Sequence, residues 1–201
     1  MEIVGRNHDE LPETIEGYNG GAKTASLSFM ARVVGAEKWA MNTSIPEWGG
    51  LEDYPNPEGM TGYNLGGWEE TKMRKMMQGE LFNALPAELQ LNIKPVVKKS
   101  DRGYYFPGIM NTTIDTLWLP SVAELNADVA GQTPVMGQGS PYPVFNIASS
   151  RVKEFNGRGA PYWTRSSGMA ISHVFRYIDN SGDTGSLTGP SNMAVAFGFC
   201  L

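Results

Sequence analysis

The chain has 201 residues, a length that suits one domain with a sizeable core. Its 16 basic and 21 acidic residues leave a net charge of −5, and the Lys and Arg are scattered, which argues against a nucleic-acid-binding face. A single cysteine, Cys200, excludes an internal disulfide, and 24 Gly with 13 Pro against only 18% charged residues mark a loop-rich chain shaped by turns.

In chain order, residues 1–4 (MEIV) read as a first strand and residues 7–13 (NHDELPE) as a turn. Residues 26–34 (SLSFMARVV) and 37–41 (EKWAM) have strand composition, with a tight link at 35–37. Residues 43–67 are rich in Gly, Pro and Asn and predict a long irregular loop, a kind of segment kept for function or tight packing. A helix is expected over residues 66–86. Glu69 and Glu70 in its first turn and Lys72, Arg74 and Lys75 further on suit the helix dipole. Met73, Met76, Met77 and Leu81 form its apolar stripe. Pro86 opens a second helix over 86–93, and residues 94–100 (KPVVKKS) read as a strand. Residues 115–125 (DTLWLPSVAEL) read as a strand running into a helix, with Ser121 and Glu124 forming a capping box just after Pro120. Residues 126–161 are loop-like. Strands follow at 162–166, 173–179 and 192–201, joined in the last case by a turn-rich link, and the final strand is nearly continuous in apolar residues. The opening and closing strands are placed to pair with each other. Strands segregated from central helices predict an α+β fold with antiparallel sheet, as a single domain over residues 1–201.

The first residues lack a basic start and an apolar run, which predicts no secretory signal, and no stretch has the roughly 20 apolar residues of a membrane span. The expected site of synthesis and folding is therefore a cytoplasm. His8, Asp9, Glu10 and His173 do not fall at zinc-site spacing, and the short acidic run at 179–183 lacks the length and terminal Glu of an EF-hand. There is no G-x-S-x-G elbow and no phosphate-binding loop. Cys200 sits in an apolar strand as an inert thiol, and Ser121 is accounted for as a cap. No catalytic residue, metal or cofactor is expected. The five tryptophans, Trp39, Trp48, Trp68, Trp118 and Trp163, read as plugs for an irregular core, with a stacking platform for sugar or peptide as the alternative.

In the stretch YWTRS, Trp163 and Arg165 point to one face of a strand. If Trp163 faces the core, so does Arg165, and a buried guanidinium must be paired. Glu124 and Asp115 are the natural partners, making Arg165 a structural tie between the late strand and the segment DTLWLPS.

Several blocks follow a recurring pattern. GGWEETKMR fits G-G-W-x-x-(S/T)-x-M-R at Gly66, Gly67, Trp68, Thr71, Met73 and Arg74. LPAELQLNIKPVVK follows downstream, then TIDTLWLPSVAEL with Asp115, Trp118, Ser121 and Glu124, then YWTRSSG with Trp163 and Arg165. AVAFGFCL closes the series, with Ala194 where the pattern has Gly. In this order the blocks resemble an uncharacterised domain family of gut-type bacteria, their phages and prophages. The resemblance implies a C-type-lectin-like fold, akin to formylglycine-generating sulfatase-modifying domains, with small antiparallel sheets, two or three helices and long irregular loops. The calcium-binding tripeptides of animal lectins and the paired cysteines of the formylglycine-generating enzymes are absent, so neither activity carries over.

The resulting expectation is a non-enzymatic module on the surface of a phage or prophage virion, in a tail, fibre or head-decoration position. It would bind a bacterial surface glycan or protein and contact other virion proteins, with no nucleic acid and no membrane insertion; homo-oligomerisation stays open. Binding is assigned to loop residues Trp48, Tyr54, Tyr63, Tyr142, Asn180, Asp183 and Asn192. The scaffold signature is Trp68, Arg74, Asp115, Trp118, Ser121, Glu124, Trp163 and Arg165. A purely structural assembly domain is the alternative, and an enzyme of unknown chemistry the third reading.

Overall fold

β-Sheet in this protein comes in small antiparallel pieces rather than one layer. The computed structural model describes residues 1–13, 22–46, 50–51, 54–55, 62–127, 137–168 and 170–201, with the backbone alone at 50–51 and 54–55. A three-stranded sheet has the order β1 (Glu2–Arg6), β2 (Leu27–Met30), β12 (Gly198–Cys200). The expected pairing of the first and last strands with each other does not occur; they flank β2 instead. Phe29 in β2 faces Ile3 on one side and Phe199 on the other.

A two-stranded piece, β3 (Gly50–Leu51) and β4 (Tyr54–Pro55), falls in the region read as irregular loop. The expected helix over 66–86 is broken into parts. Gly67–Glu70 is a 3₁₀ turn, and α1 spans Lys72–Met76 and continues with π-helical winding over Met77–Leu81. Thr71 causes the break: its backbone is extended, and its hydroxyl caps α1 by accepting from the Arg74 amide at 3.1 Å. Gly67 has a φ of 64° in the 3₁₀ turn, and a Cβ there would lie 1.9 Å from the Asp101 carbonyl, so only glycine fits. Pro86 precedes α2 (Ala87–Asn92), one residue earlier than its expected place inside the helix.

β5 (Val96–Asp101) and β6 (Met110–Asp115) form an antiparallel pair in which Lys98 faces Thr113. The helix expected after Pro120 does not form. Ser121 and Glu124 still make the reciprocal capping bonds, each 3.0 Å, but the chain closes only one turn before Asn126 enters the left-handed region at φ 49°. Two elements appear in the stretch read as loop: α3 (Ala148–Arg151), and a hairpin of β7 (Lys153–Phe155) with β8 (Arg158–Ala160). Asn156 and Gly157, at φ 51° and 73°, turn that hairpin, the Asn-Gly pair being the strongest short-range hairpin signal.

The second three-stranded sheet has the order β11 (Thr184–Thr188), β10 (Val174–Ile178), β9 (Tyr162–Ser167). β11 lies in the expected link, and the expected strands at 37–41 and 192–197 reduce to isolated bridges such as Trp39 to Met193. Trp118 bridges Gly198, and a Cβ on Gly198 would lie 2.3 Å from the Trp118 ring, so the bare backbone of β12 lets the indole seat against it. Among the described residues two large apolar clusters result, beside a small one of Leu65 and Phe106. One gathers Val4, Met30, Trp118, Tyr142 and Tyr162; the other gathers Trp68, Met73, Met77, Trp163 and Phe175. Trp68, Trp118 and Trp163 are fully buried, as core plugs, while Trp39 is 38% exposed. The fold is thus mixed α and β, with small antiparallel sheets and few helices.

Candidate functional site

All six residues of β9 are buried, Arg165 among them. Its guanidinium uses every donor. Nη1 and Nη2 grip the two oxygens of Glu124 at 2.5 and 2.9 Å, Nη1 also reaches the Leu119 carbonyl at 2.7 Å, Nη2 the Gln138 carbonyl at 2.7 Å, and Nε the Lys99 carbonyl at 3.1 Å. The expected tie between the late strand and the segment after Pro120 exists, with Glu124 as the partner. Asp115 is engaged elsewhere: its carboxylate accepts from Arg74 Nε at 2.7 Å, Trp68 Nε1 at 2.8 Å and Thr113 Oγ1 at 2.9 Å.

Glu124 carries the network on to Lys98, whose ammonium lies 3.0 Å from Oε1. Lys98 also donates to Asp9 and to the Tyr142 hydroxyl, and sits 3.8 Å from the centre of the Trp118 ring. Its three hydrogens have three acceptors. The Tyr142 hydroxyl donates a hydrogen bond to Asp9 at 2.9 Å, and the Ser28 hydroxyl donates to the same carboxylate. Asp9, Glu124, Lys98 and Arg165 thus form a buried, charge-balanced set drawn from four distant parts of the chain.

Each group's acidity follows from this company. Burial pushes the Asp9 carboxyl up, but Lys98, His8 and Ser28 together hold it far below the usual carboxylate range. Burial likewise opposes ionisation of Glu124, and Arg165 and then Lys98 overcome it, leaving its pKa lowered. Burial works against the Lys98 charge, and Glu124 and Asp9 outweigh it. The Tyr142 hydroxyl is raised, first by burial and then by Glu124 and Asp9. Burial pushes the Cys200 thiol, 3.4 Å from Asp9, up to about 12. That thiol is inert at neutral pH.

Above this set opens a cleft of about 400 Å³. Asp9, Glu124 and Arg165 lie in its floor, while the exposed Glu10, Lys99 and Ser140 and the half-buried His8 face the opening. His8 stacks on Tyr142 with ring centres 4.2 Å apart, its Nε2 is 3.3 Å from the Pro141 carbonyl, and its Nδ1 is 3.9 Å from Asp9. Asp9 raises the His8 pKa against the opposing effect of burial.

The residues assigned to binding are not gathered in one place. Tyr142 is buried: its ring stacks on Trp118 and its hydroxyl belongs to the charge set, so it is scaffold rather than loop surface. Trp48 and the Tyr54 side chain lie outside the described residues. Tyr63 is half-buried, edge-on to His173 at 5.8 Å. Asn180, Asp183 and Asn192 are exposed. Asn180 and Asp183 lie at the turn of the β10–β11 hairpin, and the Asp179 carboxylate there accepts from the Ser181 and Asp183 amides. Tyr63 packs near Gly189 at the other end of that hairpin, a strand length of roughly 17 Å away. Sequence reading weighed His8 and Asp9 only as metal ligands and missed Lys98. Lys98 had a signal, since it alternates with the inward Val96 and Ser100 along β5. Asp9, on an irregular turn, had none.

Among the described residues, no group of three or more His, Cys, Asp or Glu is placed to hold a metal ion, and no helix is long and apolar enough to cross a membrane. Residues 52–198, well over half of the chain, match the model of a family described as a domain of unknown function, DUF6273. The chain belongs to that family. No curated protein and no solved structure matches it. The DUF6273 match contains Lys98, Glu124, Tyr142 and Arg165, whereas Asp9 and Ser28, which complete the charge set, precede it.

Proposed function

We propose that this DUF6273 protein is a non-enzymatic binding module whose polar cleft takes a hydroxyl-rich bacterial surface glycan or the polar surface of a protein. The observation that carries this reading is a division of labour. The charged floor groups satisfy one another and are committed to the fold, while Glu10, Lys99, Ser140 and His8 face the opening with donors and acceptors for a ligand. The setting we propose is a phage or prophage virion surface, a reading that rests on the resemblance of the ordered sequence blocks. We also assign the chain to the C-type-lectin-like architecture. In support, β1 and β12 are joined through β2, the sheets are small and antiparallel, and long irregular segments connect them.

A glycan array with whole-cell binding to strains of the host range tests the function. Wild-type protein is expected to bind, and Glu10→Ala with Lys99→Ala to lose binding without a change in thermal unfolding, since both side chains are exposed and only their backbone carbonyls serve the fold. Failure to bind any strain would leave the purely structural assembly role.

A further inference from the structure

A second concave site lies apart from the cleft and shares no lining residue with it. Residues 34–36 and 38 on one side and 155–156 and 158–161 on the other enclose about 560 Å³, within the range of small-molecule sites. Val34 and Ala194, 3% and 4% exposed, lie deepest. Phe155, 37% exposed, and Pro161 add apolar surface nearer the opening. Val34 is fixed to β7 by its amide bond to the Glu154 carbonyl at 2.9 Å, and the Asn156-Gly157 turn holds the hairpin, so both walls are on rigid backbone.

The charge on this site is one-sided. Lys38 and Arg158 line it, both exposed, and among the described residues neither has an ion pair. No acidic side chain lines it; the neighbouring Glu37 and Glu154 are exposed outside it. In a chain of net charge −5, two unpaired cations over an apolar floor are a local inversion of the prevailing field.

We propose that this groove binds an apolar carboxylate: a small molecule with a flat or branched hydrocarbon body on the Val34, Phe155 and Ala194 surface and one acid group held by Lys38 and Arg158. The hydrocarbon body supplies the area removed from water, and the acid group supplies orientation. Each cation adds about fivefold at contact distance in high dielectric, an effect that salt weakens.

The test uses indole-3-acetate and its neutral isostere indole-3-acetamide as probes, titrated into the full chain and followed by amide chemical shifts. Indole-3-acetate is expected to shift Gly35, Ala36, Asn156, Gly157 and Gly159, and to bind at least about fivefold more tightly than the amide. Lys38→Gln with Arg158→Gln, which alters two exposed side chains, is expected to bring the acid down to the affinity of the amide. Equal binding of acid and amide by the wild type, shifts centred on His8, Glu10 and Ser140, or no shifts at about 10 mM probe would each overturn the proposal. The glycan assay of the polar cleft reads a different surface, so either site can fail without the other.

Discussion

Replacing Arg165 with Leu removes the guanidinium from a buried site where nothing can take its place. Glu124 then keeps only Lys98 and its capping contact, the carbonyls of Lys99 and Leu119 lose the Arg165 donor, and the Gln138 carbonyl is left with the Ser121 hydroxyl. Breaking a buried ion pair from one side costs about 3–5 kcal/mol, and each orphaned buried acceptor adds about 1–3 kcal/mol before relaxation. Lys99 is an exposed residue, so water can reach part of this loss. A net destabilisation of about 5 kcal/mol is expected, a large share of the roughly 5–15 kcal/mol that a domain has. For a chain of this size that corresponds to a fall in Tm of about 10–20 °C, or to failure to fold at 37 °C. Thermal unfolding followed by circular dichroism measures it, with Arg165→Lys as the graded control. Lysine keeps the charge but brings three donors to five acceptors, so an intermediate loss is expected. A Leu variant with Tm within about 2 °C of wild type would refute the structural role of Arg165.

Lys98→Met leaves Asp9 and Glu124 facing each other without their common cation, and a loss of about 3–5 kcal/mol is expected by urea denaturation. His8 has a folded-state pKa raised above the unfolded value, with Asp9 as the main cause. The stability it contributes is therefore full below about pH 6.5 and disappears as pH rises through the raised value. A plot of Tm against pH is expected to lose that component in His8→Gln. Asp9 and Glu124 act in the opposite sense: their lowered pKa values give stability that is present above the ordinary carboxylate range and lost only in stronger acid. Gly198→Ala forces a methyl against the buried Trp118 ring, with an expected cost of about 1–3 kcal/mol and a blue or red shift of the indole emission.

The parts of the fold legible in the sequence were those with local signals. β9 and β10 stood out by composition, α2 by its proline, and the Ser121–Glu124 box by its spacing. That Arg165 is paired followed from one argument, that a charge on the Trp163 face needs a counter-charge; the sequence left Glu124 and Asp115 both open, and the fold selects Glu124. Errors arose where a tertiary constraint overrode local preference. The helical stripe around Met73 continues past Thr71, yet Gly67 must lie flat against the Asp101 carbonyl, and the helix is split to allow it. The closing segment looked like one long strand because it is apolar throughout. It is buried at Met193, Ala194 and Ala196 by packing against several elements, and only Gly198–Cys200 pairs as a ladder. Tyr142 looked like a loop aromatic because it is flanked by Pro141 and Pro143. Nothing local reveals that Lys98 and Asp9 wait for its hydroxyl.

The position of β12 beside β2 also bears on how the chain reaches this state. The Cys200 thiol lies 3.4 Å from Asp9, 191 positions away, and Lys98 bridges from Asp9 across 89 positions. Closing such long loops is paid in entropy before any contact rewards it, which slows folding relative to locally wired domains. A chain in which β12 has not yet docked has Asp9 and Lys98 but not the strand whose Cys200 lies against Asp9, so the charge set is sealed only when β12 pairs with β2. Refolding kinetics should therefore show one late, slow step in which tryptophan burial and the pairing of β12 with β2 arrive together.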